Sequence, residues 1–414
     1  METKPAKLAI VGGGAAGIFA AAVAAERRIP CVLVERKARL GSKVLMTANG
    51  RCNFTKDLAP DQFLRDLACG PADDRTARFV AEAVRDCPPR QIIAGFKSLG
   101  IPLRRMPDGR MFPADGKAAT ILHAFGDLLR EEAVPILTNC PVKAVRAARP
   151  AKGGARFVLE TANFDIPAEN VLRATGGISY PKTGSVGDGQ NFARALGHTI
   201  VPYRPGLIGL ETDDPRVTRL AGRRFEDDGR VKIIAAGGQT LFDYRGEVDC
   251  ERFGLSGAAI YNAQRFLEHF HRNTPTPKRP NLQTSKRPNA QTSKRPNAQT
   301  LSLEVWFGHN RLAFANLTPR PVKEAIVTLG GVATDEIDPH TMQSKLVPGL
   351  FFAGEVMDID GPTGGYNLTL AFATARKAVT SMSATCTGLG SSAFDQSRAA
   401  TQSRAAKTRA AASS

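Results

Sequence analysis

Apolar residues along this chain gather into three runs that each meet a glycine turn, and the other elements can be placed around them. The first is Leu8 to Glu35, LAIVGGGAAGIFAAAVAAERRIPCVLVE. Leu8 to Val11 is a short β-rich run, Ala15 to Arg27 favours helix, and a second apolar run ends in Glu35, so the pattern predicts strand, turn, helix, strand. The second is NVLRATGGISYPKTG (170–184), a buried strand ending at Ala174-Thr175-Gly176-Gly177. The third lies within 346–380, where Leu350 to Ala353 reads as a buried strand stopping at Gly354-Glu355 and a loop with Gly364-Gly365 opens a helix at about Asn367.

Between these runs the pattern is weaker. Residues 41–56, GSKVLMTANGRCNFTK, read as a loop too polar and irregular for a core element, with Lys43 and Arg51 as its cations. Residues 60–100 look helical in two pieces divided at Pro88-Pro89, and 109–132 is a loop feeding an amphipathic helix. Short β runs follow at Val134 to Leu137 and Arg156 to Glu160. From about 200 to 260, short β runs with frequent Gly, Pro and Asp predict an antiparallel sheet or small barrel inserted into the first domain, and 254–270 reads as a helix. Residues 278–300 repeat KRPNLQTS, KRPNAQTS, KRPNAQT, too polar and too rich in Pro and Asn to bury an apolar face, so a disordered linker is expected; the tail at 396–407 has the same character.

Gly12, Gly14 and Gly17 have the G-x-G-x-x-G spacing that turns a backbone tightly and lets it approach a pyrophosphate, with Ala15 and Ala16 opening the helix. Free N–H groups at that helix N-terminus face phosphates, and Glu35 can accept hydrogen bonds from ribose hydroxyls. The small residues at 174–177 let a cofactor backbone pass within contact distance. A dinucleotide at the N-terminal strand pair is the reading these features support.

At 414 residues with 42% hydrophobic composition, the chain is long enough for two domains with real cores. No apolar run is long enough to span a bilayer, and the first strand starts too near Met1 for a signal peptide, so a cytoplasmic protein without membrane association is expected. The formal charge of +17 points towards nucleic acid, but the repeat and the tail supply nine of the seventeen, and neither interleaves aromatic residues with its cations; nucleic acid is therefore not the expected partner. Seven scattered cysteines, without a C-x-x-C pair, read as reduced and mostly buried. Cys52 could serve as a redox thiol or simply shape a pocket. His123, His198 and His309 are isolated, without metal-ligand spacing. No metal site, no oligomeric state and no catalytic acid or base can be named.

Taken together, GGGAAG (12–17), Glu35, GSK (41–43), GRCN (50–53), MFP (111–113), ATGGISYPKTGSVGDG (174–189), GLSG (254–257), GGV (330–332), TMQSK (341–345) and FFAGEVMDIDGPTGGYN (351–367) resemble the glutathione-reductase type of FAD-binding fold. More narrowly, they resemble the BaiN/RdsA-type family of NAD(P)/FAD-dependent oxidoreductases. The resemblance implies an α/β chain: a Rossmann-type FAD-binding domain in two segments (1–190 and 325–385), an inserted β-rich substrate domain (191–324, with a disordered repeat at 275–300), a reduced helical subdomain and a disordered tail (386–414). It implies FAD held by Gly12, Gly14, Ala15, Ala16 and Gly17 at the pyrophosphate, Glu35 and Arg36 at the ribose end, and Val142 beside the adenine. Lys43, Thr175, Gly176, Gly354 and Glu355 would follow along the ribityl portion, with Arg51, Cys52 and Asn53 bordering the flavin and Gly364, Gly365, Tyr366 and Asn367 beneath its ring. Tyr366 could instead donate a proton to substrate. The implied reaction is hydride transfer between a small organic substrate and flavin, with NAD(P)H a transient donor that lacks a second fingerprint of its own. An FAD-dependent RNA-modifying enzyme and a non-catalytic flavin-binding protein are the alternatives.

Overall fold

Four consecutive apolar residues, Leu8–Val11, leave the first strand no polar face, so it must be covered on both sides. In the computed structural model, which describes residues 4–68, 74–148, 154–226, 228–273, 301–314 and 317–384, this strand (Ala6–Val11) lies inside a seven-stranded sheet. It pairs in parallel with Cys31–Val34 on one side and with Asp165–Arg173 on the other, Val11 standing opposite Val34 and Arg173. Ile136–Leu137 extends the sheet beyond Cys31–Val34. The far edge of Asp165–Arg173 is shared: Phe157–Glu160 pairs antiparallel with its beginning, Leu350–Phe352 parallel with its end. Ala144–Ala147 closes that side as a hairpin with Phe157–Glu160. The parallel strands thus end together, at Gly12, Glu35, Ala174 and Ala353, and a crevice outside such strand ends is where open α/β sheets bind ligands.

The fingerprint helix, Ala15–Glu26, is apolar on nearly every face and buries Ala16, Ile18, Ala20, Ala21 and Ala24. Its small residues let the last helix, Tyr366–Ala384, pack closely beside it, with Phe19 and Phe372 ring centroids 4.9 Å apart. Residues 60–100 form three helices and not the two expected: Pro60–Leu67, Arg75–Asp86 and Pro89–Ser98. The additional break comes where Ala68 turns extended after the first helix. The loop 41–56 also departs from expectation at its end, where Phe54 and Thr55 are fully buried. Phe54 stacks on Phe96 at 4.4 Å, and Thr55–Lys56 joins Arg110–Pro113 and Leu103–Arg105 in a small antiparallel sheet that no periodicity announced.

The β-rich stretch folds as two antiparallel sheets. One orders Arg224–Phe225, Val248–Glu251, Gly254–Ser256, Leu210–Glu211 and Thr318–Pro319; the other orders Thr240–Arg245, Gly229–Ala235, Leu301–Phe307 and Asn310–Phe314. Helix Ala258–Asn273 packs on both, around a cluster that includes Val231, Val248, Leu255, Ile260 and Val305. The helix therefore begins four residues later than expected: Gly254–Ser256 is a strand, and Gly257 turns the chain at φ +96°. A ribbon of Ile200–Gly206 and Val327–Val332 leads into and out of this part. Ionic contacts tie helix Ala258–Asn273 to the segment after Leu350–Phe352. Arg265 and His269 hold Asp360, and Arg272 grips Asp358 with 2.6 and 3.1 Å bonds. The repeat at 278–300 and the tail from 386, expected to be disordered, lie outside the described residues.

Candidate functional site

A cleft of about 670 Å³ opens where the parallel strands end and continues to the wall made by the β-rich part. All of the cofactor residues expected from sequence border it except Gly17, Cys52 and Tyr366.

The fingerprint glycines divide into two kinds. Gly12 has φ +107°, and a Cβ there would fall 2.6 Å from the Ala174 carbonyl oxygen; one at Gly17 would fall 1.8 Å from the carbonyl oxygen of Gly12. Packing of strand, turn and helix accounts for both. A Cβ at Gly14 would meet nothing within 4 Å, and Gly14 has an ordinary negative φ while lining the cleft. Nothing in the protein excludes a side chain there, so the space beside Gly14 is open to the cleft. Gly14 is also the N-cap of the fingerprint helix; it supplies no capping side chain, and the first turn holds no acid. The helix end is left positive and open, as an anion site requires.

At the end of the next strand, Glu35 is held by two backbone amides: its Oε2 accepts from Gly13 N and its Oε1 from Lys37 N, both at 2.7 Å. The carboxylate keeps further lone pairs for hydroxyl donors. Arg36 donates to Asp188 at 2.7 Å, and both line the cleft beside Val142 and Cys140. Deeper in, Lys43 donates to Glu355 and to Ser179, each at 2.6 Å. Glu355 in turn accepts from Thr328 N at 2.6 Å and from the Ser179 hydroxyl at 3.2 Å. Ser179 belongs to the ATGGISYPKTGSVGDG stretch, whereas nothing in the sequence around Thr328 marks it. Buried Asn53 Oδ1 and Thr175 Oγ1 lack hydrogen-bond partners among the described residues while both residues line the cleft, leaving two polar atoms for a ligand.

Three expected site residues sit elsewhere. Gly17 serves the turn, as its contact with Gly12 shows. Cys52 is 1% exposed and faces the core; burial pushes its thiol up to about 12, so it holds no thiolate at neutral pH and does not suit redox chemistry. Tyr366 packs its ring against Phe63, centroids 4.8 Å apart, and donates its hydroxyl to Asp66 at 2.5 Å. Burial and the Asp66 carboxylate push that phenol far above its ordinary range, and it is directed away from the cleft. Its neighbour Asn367 instead braces the loop before the helix, exchanging hydrogen bonds with Gly361 at 2.9 Å each way. Gly365, whose Cβ would fall 2.6 Å from the Thr55 carbonyl carbon, lets this turn lie on the strand Thr55–Lys56 that follows the GRCN segment. Arg51 donates to the Ala48 carbonyl and stands 5.6 Å from the Phe112 ring.

The opposite wall comes from the β-rich part and its flanks. Leu207, Ile208, Phe253 and Val327 form an apolar patch on it, Arg224, Glu247, Asp249, Glu251, Arg320 and Glu324 charge the rest, and Tyr180 and Tyr261 also line it. Burial raises both phenols above their ordinary range, so each keeps its proton at neutral pH. Tyr180 adopts a left-handed φ of 52°, a conformation that costs energy for a bulky residue and often marks a functional position. Neither tyrosine carried a sequence signal of its own.

The HI0933-like protein Rossmann domain matches residues 6–381, and the chain belongs to that family. A 3-dehydro-bile acid delta(4,6)-reductase of Clostridium scindens is 29% identical over 416 residues, covering 89% of this chain and 97% of the relative. A ribosomal RNA dihydrouridine synthase of Escherichia coli is 27% identical over 399 residues, covering 88% and 95%. Among solved structures, the FrdA chain of Escherichia coli quinol fumarate reductase matches with a TM-score of 0.53 at 17% identity, over 98% of this chain and 75% of that one, a likeness of fold. No helix among the described residues is long and apolar enough to cross a membrane.

Proposed function

We propose that this member of the HI0933-like Rossmann family is an FAD-dependent oxidoreductase that moves hydride between a small organic substrate and its flavin. The observation that carries this reading is the N-terminus of the fingerprint helix: Gly14 caps it without a side chain, lines the cleft, and leaves open space beside the free N–H groups where a diphosphate can approach. The residues fit the cofactor in chemistry as well. An uncapped helix end suits a diphosphate, Glu35 suits a ribose diol, and the orphaned oxygens of Asn53 and Thr175 suit donors on a flavin and its side chain. When bound, the flavin supplies two-electron chemistry.

On this reading the chain divides into an FAD domain (1–190 and 325–385) and an inserted β-rich domain (191–324), with substrate between them. The apolar patch of Leu207, Ile208, Phe253 and Val327 would hold an organic ring system, while Tyr261 and Tyr180 would each present a protonated hydroxyl to it. Lys43 and Glu355, neutralising each other, would fix the floor of the cleft. The reductase relative, named for a 3-dehydro-bile acid, supports a small polycyclic substrate. The relative named for ribosomal RNA supports the competing RNA reading.

Purified protein should be yellow and release FAD, one per chain, on denaturation; a colourless protein that takes up no FAD on reconstitution sinks the reading. Anaerobic mixing with NADH and NADPH then tests the donor. Reoxidation of the reduced protein by small enones supports the proposed substrate class, reoxidation only by ribosomal RNA supports the RNA reading, and no reoxidation by either supports a non-catalytic flavin protein.

A further inference from the structure

Arg173 ends the long central strand, is 0% exposed, and is the largest fully buried side chain among the described residues. Its Nη1 reaches the Gly189 carbonyl at 3.4 Å, and its Cζ lies 5.2 Å from the centroid of the Phe192 ring. Its Nε and Nη2 have no hydrogen-bond partner among the described residues. Burial alone pushes its pKa down, with no contribution from a carboxylate.

That Nε–Nη2 edge is the fork with which three other arginines of this chain grip carboxylates. Arg216 turns it on Asp214, Arg224 on Asp249 and Arg230 on Asp243. Two parallel N–H donors match a carboxylate or a phosphate. In Arg173 the fork is buried and open, and an uncompensated buried charge is costly. The carboxylate of Asp188, next to Gly189, is taken by Arg36.

The neighbourhood of Arg173 is the back of the cleft. A Cβ on Gly189, whose carbonyl takes Nη1, would fall 1.9 Å from Thr175 Oγ1, itself without a partner. Gln190 ties back to the Gly176 carbonyl at 2.9 Å and leaves its own Oε1 unpartnered. Ala174, Thr175, Gly176 and Phe192 all line the cleft. The cation thus stands one layer behind a wall that faces the uncapped fingerprint helix.

We propose that Arg173 is the buried counter-charge for the diphosphate of the bound dinucleotide. It is a positioning residue: it acts through the Thr175 wall and holds charge where the protein otherwise leaves it uncompensated. This rests on the cofactor reading above. The apoprotein therefore carries an unneutralised cation that cofactor binding relieves.

The test compares full-length wild type with Arg173→Leu and Arg173→Lys, reading the melting temperature of the apoprotein and the affinities for FAD, riboflavin and inorganic pyrophosphate. Arg173→Leu should melt at or above the wild-type temperature, lose about tenfold or more in FAD affinity, and bind riboflavin, which has no phosphate, as wild type does. Arg173→Lys keeps the charge without the fork and should retain most of the FAD affinity. Pyrophosphate should raise the melting temperature of wild-type apoprotein and not that of Arg173→Leu. Equal FAD affinity in wild type and Arg173→Leu overturns the inference, as does a loss of FAD and riboflavin binding in the same proportion. Equal stabilisation of wild type by orthophosphate and by pyrophosphate overturns it too, since the buried charge would then answer any anion in the cleft and not the diphosphate. A wild type that binds neither FAD nor riboflavin overturns the cofactor reading itself.

Discussion

Lys43 donates to the Glu355 carboxylate at 2.6 Å, joining a loop near the start of the chain to the turn after its last core strand. Both side chains are about one-fifth exposed, 22% and 20%. Such a pair loses stability mainly when one partner is removed and the other stays buried. Lys43→Met or Glu355→Gln should each destabilise the fold by about 2 kcal/mol, and the double variant by clearly less than their sum. Urea midpoints measure all three, and full additivity would show that the contact carries no coupling.

Gly14 and Gly17 should respond oppositely to alanine. Gly17→Ala drives a Cβ to 1.8 Å from a backbone oxygen and should cost several kcal/mol, on the order of an overpacked core. Gly14→Ala meets nothing within 4 Å and should leave the apoprotein within about 1 kcal/mol of wild type, while weakening FAD binding at least tenfold. Thermal melts of apoprotein beside flavin fluorescence titrations separate the two effects; a Gly14→Ala protein that binds FAD normally would remove the central support for the proposed cofactor.

Cys52 should resist thiol reagents in the folded protein. It is 1% exposed and its thiol is pushed up to about 12. A maleimide at pH 7 should label it only on unfolding, as mass mapping of the labelled peptides would reveal, and Cys52→Ala should keep the reducible flavin. Labelling of native protein at Cys52 with loss of flavin reduction would restore the redox role.

Acid should loosen the joint between the β-rich part and the parallel sheet. Arg265 and His269 hold the Asp360 carboxyl below the usual carboxylate range despite its burial. A depressed folded pKa contributes stability that is fully present above the unfolded value of about 4 and is lost as pH falls below it. Stability from urea melts should be flat in this contribution from neutral pH to about 5 and then decline. Asp360→Asn should be less stable at pH 7 and show a shallower decline; an unchanged acid slope would show that other carboxylates carry it.

The first strand, its glycine turn and the alanine helix were legible because they are local: four apolar residues, a G-x-G-x-x-G spacing and an acid at the next strand end each follow from neighbours in sequence. The strand ends at Arg173 and Phe352 were legible for the same reason. Side-chain direction was not. Cys52 and Tyr366 stand beside cleft residues in the chain, yet one turns into the core and the other onto Phe63 and Asp66, because packing partners distant in sequence decide which side of a loop or helix start is buried. Ser179 and Thr328 came to Glu355, and Tyr180 and Tyr261 to the cleft, only through pairing and packing between segments far apart in sequence. Arg173 reads in sequence as one cation among many; only the tertiary structure closes the sheet, helix Asp188–Ala195 and Phe192 around it, and burial turns an ordinary charge into one that must find its counter-charge.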